Sequence, residues 1–293
     1  MKKIVVIGAD GLLGSKIINT HLKNYEIVGT YHKNKPVFEK TFQLDITNKK
    51  QVESLKKLNP DIIIHTASLT NVDYCEDNRE EAWDVNVKGT ENILEVSEKI
   101  RNKIIFLSTD YIFDGKNGPY SEGEELNPIN YYGKTKLECE KLVKSSRLEY
   151  IIVRTTVLYG WGKNRLNFVT WVIDELKNGR KIKVVRDQYG TPTLADNLAE
   201  VILELILHDK RGIYNVAGSS LVNRYEFALK IADIFELNKG LITPVTSEEL
   251  NQRAPRPKRG GLKIDKIKKE MRVKLLTIEE GLFEMKKQAR IEC

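Results

Sequence analysis

The sequence is short of cysteine, histidine and long apolar runs, and each shortage closes off a class of function. Its 293 residues hold three cysteines, Cys75, Cys139 and Cys293, an odd number at unrelated spacings. That leaves no disulfide framework and fits a reducing compartment. Four histidines, His21, His32, His65 and His208, are scattered singly, with no Cys or second His at metal-ligand spacing. No metal site is expected. The longest apolar stretches, such as residues 4–7 and 62–64, are far too short to cross a bilayer. Met1-Lys2-Lys3 runs straight into a short apolar stretch, without a signal-peptide core or cleavage site, so a cytoplasmic protein is expected.

A hydrophobic content of 41% supports one large domain, or one domain with a smaller appendage. The net charge of +7 does not imply nucleic acid, because the lysines are spread along the chain and interleaved with Glu, as in residues 138–144. Solvated faces explain that pattern better. The densest basic stretch, residues 253–259 (Arg-Ala-Pro-Arg-Pro-Lys-Arg), has two readings: contact with an anionic substrate, or an exposed basic loop.

The first half alternates β-branched runs with helical patterns, which predicts a parallel sheet of doubly wound α/β type. Residues 3–7 form the first strand. Gly8-Ala-Asp-Gly11-Leu-Leu-Gly14 follows and opens a helix running to about residue 22. Gly8 permits the tight turn, Gly11 a close approach of phosphate, and Gly14 close helix–strand packing. A dinucleotide pyrophosphate is then favoured at the helix N-terminus. Residues 26–30 are the second strand. An acidic residue near its end would suit NAD, but this chain reads Thr30-Tyr31-His32-Lys33. Basic residues there suit a ribose phosphate and point to NADPH, with NADH left open; simple solvation of His32 and Lys33 also fits. Asp45 reads either as an acceptor for an adenine amino group or as a turn residue. Thr47 or Asn48 caps a helix over 49–58, and the strand 60–67 runs into Ala67-Ser68-Leu69-Thr70 at the carboxyl edge of the sheet. A long helix over 79–100 carries Asn86 between Val85 and Val87, which reads as a buried tie. The strand 103–107 ends in Ser108-Thr109-Asp110-Tyr111, where a hydroxyl can meet a substrate carbonyl. A helix over 130–145 carries Tyr132 and Lys136. Four residues apart, they share a helix face, and the ammonium is expected to lower the phenol pKa from about 10. Tyr31 and Lys35 have the same spacing, so the pair counts only through its neighbours.

Those neighbours resemble the extended short-chain dehydrogenase/reductase superfamily and, within it, the dTDP-4-dehydrorhamnose reductases. The motifs are Gly8-x-x-Gly11-x-x-Gly14, residues 65–73, Ser108-Thr-Asp-Tyr-Ile-Phe-Asp-Gly115, Tyr132-x-x-x-Lys136, residues 154–160, 187–193 and 256–258, in order across nearly the whole chain. The resemblance implies a Rossmann-type doubly wound parallel sheet with a smaller C-terminal α/β substrate domain. The expected division is 1–158, with a strand and helix returning from about 181–210, and 159–293, interleaved. Later helices are expected over 167–179, 194–207 and 225–235, and one from Thr277 with Glu280 completing a capping box.

The resemblance also implies NAD(P)H reduction of a 4-keto group on a nucleotide-linked deoxysugar. Tyr132 would give the proton, Lys136 would hold the nicotinamide ribose, and Thr109 would bond the same oxygen. The coenzyme would lie along Gly8, Asp10, Gly11, Leu12 and Leu13, then Tyr31, His32 and Lys33, then Asp45 and Ile46, then Ala67, Ser68 and Leu69. The sugar would meet Asp110, Val157, Asn167 and Arg256. A homodimer is compatible with the resemblance. Relatives that bind magnesium at a dimer interface use acidic residues where this chain offers Ser15 and Asp196, so no structural magnesium is expected. Val157 stands where the rhamnose enzymes usually carry a sugar-contacting Trp, which leaves the sugar open. Two alternatives stand beside the reductase: another nucleotide-sugar epimerase or dehydratase, and a non-catalytic nucleotide-binding subunit like the regulatory subunit of methionine adenosyltransferase. Tyr111, where dehydratases place an acid, argues against elimination.

Overall fold

The structure is a computed structural model that describes residues 1–20, 22–162 and 166–291; His21 and Cys293 lie outside the described residues. Seven parallel strands form the central sheet. From one edge the order is Gly212–Asn215, Tyr150–Thr155, Lys103–Thr109, Ile62–His65, Lys2–Ile7, Tyr25–Tyr31 and Thr41–Gln43. The central strands are apolar at nearly every position because helices cover both faces. One buried cluster, with Ile4, Val6, Ile64 and Ile105, lies on one face; another, with Val5, Ile7, Ile63 and Ile104, lies on the other. Chain order reverses between Lys2–Ile7 and Ile62–His65, which opens a crevice at the carboxyl ends of the strands.

A further cluster gathers Tyr159, Val172, Ile173, Phe227, Ile231 and Leu282 around the helices Phe168–Lys177, Arg224–Ile234 and Ile278–Ile291. Its strand Ile182–Val185 pairs with Ile242–Val245, not with the central sheet. The expected return from 181–210 is therefore corrected: the helix Ala195–Leu207 and the strand Gly212–Asn215 return. The strand Thr41–Gln43 has no counterpart in the sequence reading. The helix expected over 79–100 is real but changes pitch at a π-turn, Asp84–Lys88, and the one over 49–58 breaks at Ser54. Thr277 and Glu280 form the expected reciprocal cap, at 2.9 and 3.2 Å.

The helix Tyr131–Ser145 is the element that positions the site. Asn130 caps it, accepting from the Gly133 N–H at 2.8 Å and donating to the Pro255 carbonyl at 2.9 Å. A Cβ on Gly133 would strike the Tyr111 carbonyl, so glycine here lets the helix lie against the turn after Thr109.

Candidate active site

The glycine turn makes one end of the crevice. Gly8 has φ +86°, and a Cβ there would come within 2.9 Å of the Ala67 backbone. A Cβ on Gly14 would run into the Gly8 carbonyl. Gly11 starts the helix Leu12–Ile18 without a capping side chain. Among the described residues no side chain caps the first-turn N–H groups. This cradle fits a dinucleotide phosphate.

Tyr31, His32 and Lys33 stand where the second strand leaves the sheet and line the same crevice, of about 650 Å³, as do Asp10, Leu12, Leu13 and Ile46. Asp45 is a turn residue that also lines it: Oδ1 accepts from the Thr47 N–H at 2.9 Å and its hydroxyl at 2.7 Å. Burial raises the Asp45 pKa, the Thr47 bonds more than offset that, and the net shift is downward. Its second oxygen lies 4.0 Å from His32.

The lip 67–69 is held from below by Asn86, which the π-turn directs inward. Asn86 Oδ1 accepts from the Leu69 N–H at 2.7 Å and the Ser68 hydroxyl at 2.9 Å; Nδ2 donates to the Leu69 carbonyl at 3.1 Å and to Thr135 Oγ1 at 2.9 Å. One amide thus ties the lip to the helix of Tyr132. Asn86→Ala is expected to cost about 1–3 kcal/mol for each backbone group it leaves unpaired. It should also weaken coenzyme binding, and thermal unfolding with a coenzyme titration would measure both effects.

Thr109, Tyr132 and Lys136 all line the crevice and are nearly buried. The Thr109 hydroxyl donates to Asp110 Oδ1 at 3.4 Å and accepts from the Tyr111 N–H at 3.2 Å. Burial pushes the Tyr132 pKa up, well beyond the usual phenol value, and the nearby Thr109 hydroxyl only partly opposes it. This corrects the expectation that Lys136 depresses it. The Lys136 ammonium sits 4.2 Å over the Phe106 ring, and burial lowers its own pKa. Behind it His65 is held neutral, its pKa pushed down to about 3 by burial and by Lys136.

Asp110 and Val157 also line the crevice. Val157 has φ +45°, a strained conformation for a β-branched residue. Asn167 also lines it, but its amide is already used: Oδ1 accepts from Thr170 N–H at 3.3 Å and Nδ2 donates to the Gly160 carbonyl at 2.7 Å. Arg256 is not brought to the crevice. Its guanidinium grips Asp73 at 3.0 and 2.9 Å, although its neighbour Pro257 is a lining residue. Arg253 is likewise paired, with Asp77, and Lys258 faces Asp187 at 3.4 Å, so the basic loop is largely neutralised by its own fold.

Four further residues line the crevice: Tyr111, Gln188, Tyr189 and Arg224. The first three stand inside motifs visible in the sequence. Arg224 belongs to none, and the pattern of its helix starts one residue later.

The chain is 34% identical over 284 residues, 94% of its length and 95% of the other, to a probable low-salt glycan biosynthesis reductase, Agl14, of Haloferax volcanii. A crystal structure of dTDP-4-dehydrorhamnose reductase from Bacillus anthracis in complex with NADP superposes with a TM-score of 0.89 at 33% identity, covering 100% of both chains. The beta subunit of methionine adenosyltransferase 2 from Xenopus tropicalis is 31% identical over 92% of this chain and 82% of its own. Residues 1–291 match the family model described as the RmlD substrate binding domain, and with these relatives the chain belongs to that family, the dTDP-4-dehydrorhamnose reductase family.

Proposed function

We propose that the protein reduces the 4-keto group of a nucleotide-linked 6-deoxysugar, with NADPH as coenzyme. The observation that carries this reading is that the Thr109 hydroxyl and the Tyr132 phenol, both nearly buried, line one crevice whose glycine turn forms a cradle for phosphate. The coenzyme, when bound, supplies the hydride. Tyr132 donates its proton to the carbonyl oxygen and Thr109 holds the same oxygen, so both strengthen as charge develops there. A buried phenol with a raised pKa is suited to this task, because it stays protonated until a strongly basic alkoxide forms. Lys136 holds the nicotinamide ribose. Residues 1–158, with the returning helix and strand, carry the coenzyme, and 159–293 mainly carry the sugar. The relatives that carry reductase names over the full length of the chain support the reading.

His32 and Lys33 favour a 2′-phosphate at the crevice mouth. Lys33→Glu is expected to raise the KM for NADPH by about 10-fold, the worth of one exposed charge-assisted contact, and to leave that for NADH nearly unchanged. Steady-state kinetics with the two coenzymes would decide it.

The defining assay offers NADPH with a panel of nucleotide-linked keto-sugars and follows nicotinamide absorbance. Oxidation confined to 4-keto-6-deoxy substrates is the expected result. The likeness to the methionine adenosyltransferase beta subunit favours a second reading, a coenzyme-binding subunit without turnover. Tight NADPH binding with no oxidation across the panel would select it.

A further inference from the structure

We infer that Arg224 is the anchor for the diphosphate of the nucleotide sugar. The inference rests on the proposed substrate class and deepens it. Four basic side chains stand among the described crevice-lining residues: His32, Lys33, Lys136 and Arg224. The first two lie at the mouth beyond the second strand, and Lys136 is beside the reactive phenol. Arg224 alone faces the sugar side.

Its surroundings leave the guanidinium available to an anion. Among the described residues it makes no ion pair within 4 Å, unlike Arg253 and Arg256 of the basic loop. Its Cζ lies 5.0 Å from the centroid of the Phe168 ring, which supports the fork from one side. Its charge acts on the neighbouring Tyr111 phenol, partly opposing the upward push of burial. The carboxyl that acts on it electrostatically is Asp110, which is buried, accepts from the Gly261 N–H at 3.1 Å, and has its pKa raised by burial.

Position selects a diphosphate over a second sugar contact. In a pyranose the reacting C4 and the anomeric carbon bearing the diphosphate stand across the ring from each other. An anion-binding group must therefore stand about one ring away from the proton donor. Tyr111 lies between the two: its ring packs edge-on against Tyr132, centroids 5.9 Å apart, and its phenol feels the Arg224 charge. A planar fork matches two phosphoryl oxygens better than a lysine would.

The test titrates thymidine diphosphate, uridine diphosphate and the two nucleosides into NADPH-saturated protein by calorimetry, for the natural chain, Arg224→Ala and Arg224→Lys. The inference expects at least one diphosphate to bind more tightly than its nucleoside. Arg224→Ala should weaken the diphosphate by about 10- to 100-fold and leave the nucleoside unchanged, with Arg224→Lys falling between. Equal affinity for nucleoside and diphosphate, no diphosphate binding, or an unchanged Arg224→Ala would overturn it. If Arg224→Ala loses NADPH affinity, its fold is disturbed; Arg224→Lys, which keeps the charge, then decides, by a clear loss or by none. Binding needs no turnover, so the outcome separates from the reductase assay. Arg224-dependent diphosphate binding without NADPH oxidation sinks the reductase and keeps the anchor. Turnover with an unchanged sugar KM in Arg224→Ala does the reverse.

Discussion

Tyr132→Phe is expected to lower kcat for NADPH-dependent keto-sugar reduction by about 10²- to 10⁴-fold, the range for removing a positioned proton donor. The ring would keep its place against Tyr111 and in the small cluster with Cys75 and Ala82, so fold and coenzyme affinity should hold. Thr109→Val removes the other donor and should cost about 10²- to 10³-fold. The pH profile separates a donor from a spacer. The reaction needs Tyr132 protonated, and burial raises its pKa above the ordinary value of 10.0. Activity should therefore stay level through neutral pH and show no alkaline fall from the phenol until well above that value. A fall centred near 8 that vanished in Tyr132→Phe would mean an ionised phenol is the limiting form. Tyr132→Phe with near-normal kcat would remove the phenol from the chemistry altogether.

Much of this arrangement was legible in the sequence, because periodicity and strand ends are local signals. Continuous β-branched runs gave the buried strands, and each strand-end motif fell at the carboxyl edge where the crevice opens. The glycine spacing was readable because a missing Cβ is a property of the residue itself. What escaped depended on distant partners. Residues 138–144 read as a solvated charged face, yet Glu140 is fully buried, because Arg154 on a strand of the central sheet reaches it. Arg256 read as a substrate contact, but Asp73, 183 residues away in sequence, takes its guanidinium. Arg224 escaped for the opposite reason: it points into the crevice from a helix whose periodic pattern begins after it. The expected lowering of the Tyr132 pKa by Lys136 fails: burial dominates the shift, and the Lys136 ammonium rests over the Phe106 ring. Spacing predicted that the two would share a face, but spacing carries no measure of desolvation.

Glu140→Gln is expected to destabilise the protein by about 3–5 kcal/mol, because it leaves Arg154 buried and without its counter-charge. Arg154 Nε donates to Oε1 at 2.9 Å and Nη2 to Oε2 at 2.7 Å, and the Ser108 hydroxyl adds a bond to Oε1 at 2.6 Å. Glu140 lies one helical turn beyond Lys136 and Ser108 directly precedes Thr109, so the cluster sets how the Tyr132 helix sits along the strand presenting Thr109. At about 2–4 °C per kcal/mol for a chain of this size, thermal unfolding should fall by about 6–20 °C. Burial pushes the Glu140 pKa up, Arg154 and Ser108 pull it down further, and the net shift is downward from 4.5. A carboxyl depressed in the folded state contributes stability above its unfolded pKa and loses it as pH falls through the folded one. The natural chain should therefore weaken with acid below pH 4.5 by an amount Glu140→Gln does not show. Glu140→Leu with Arg154→Leu should recover most of the stability, since both charges leave together. Its kcat should stay below that of the natural chain, because nothing then fixes the Tyr132 helix against Thr109. Full recovery of kcat along with stability would reduce the pair to a packing device, with no part in aligning the two hydroxyls.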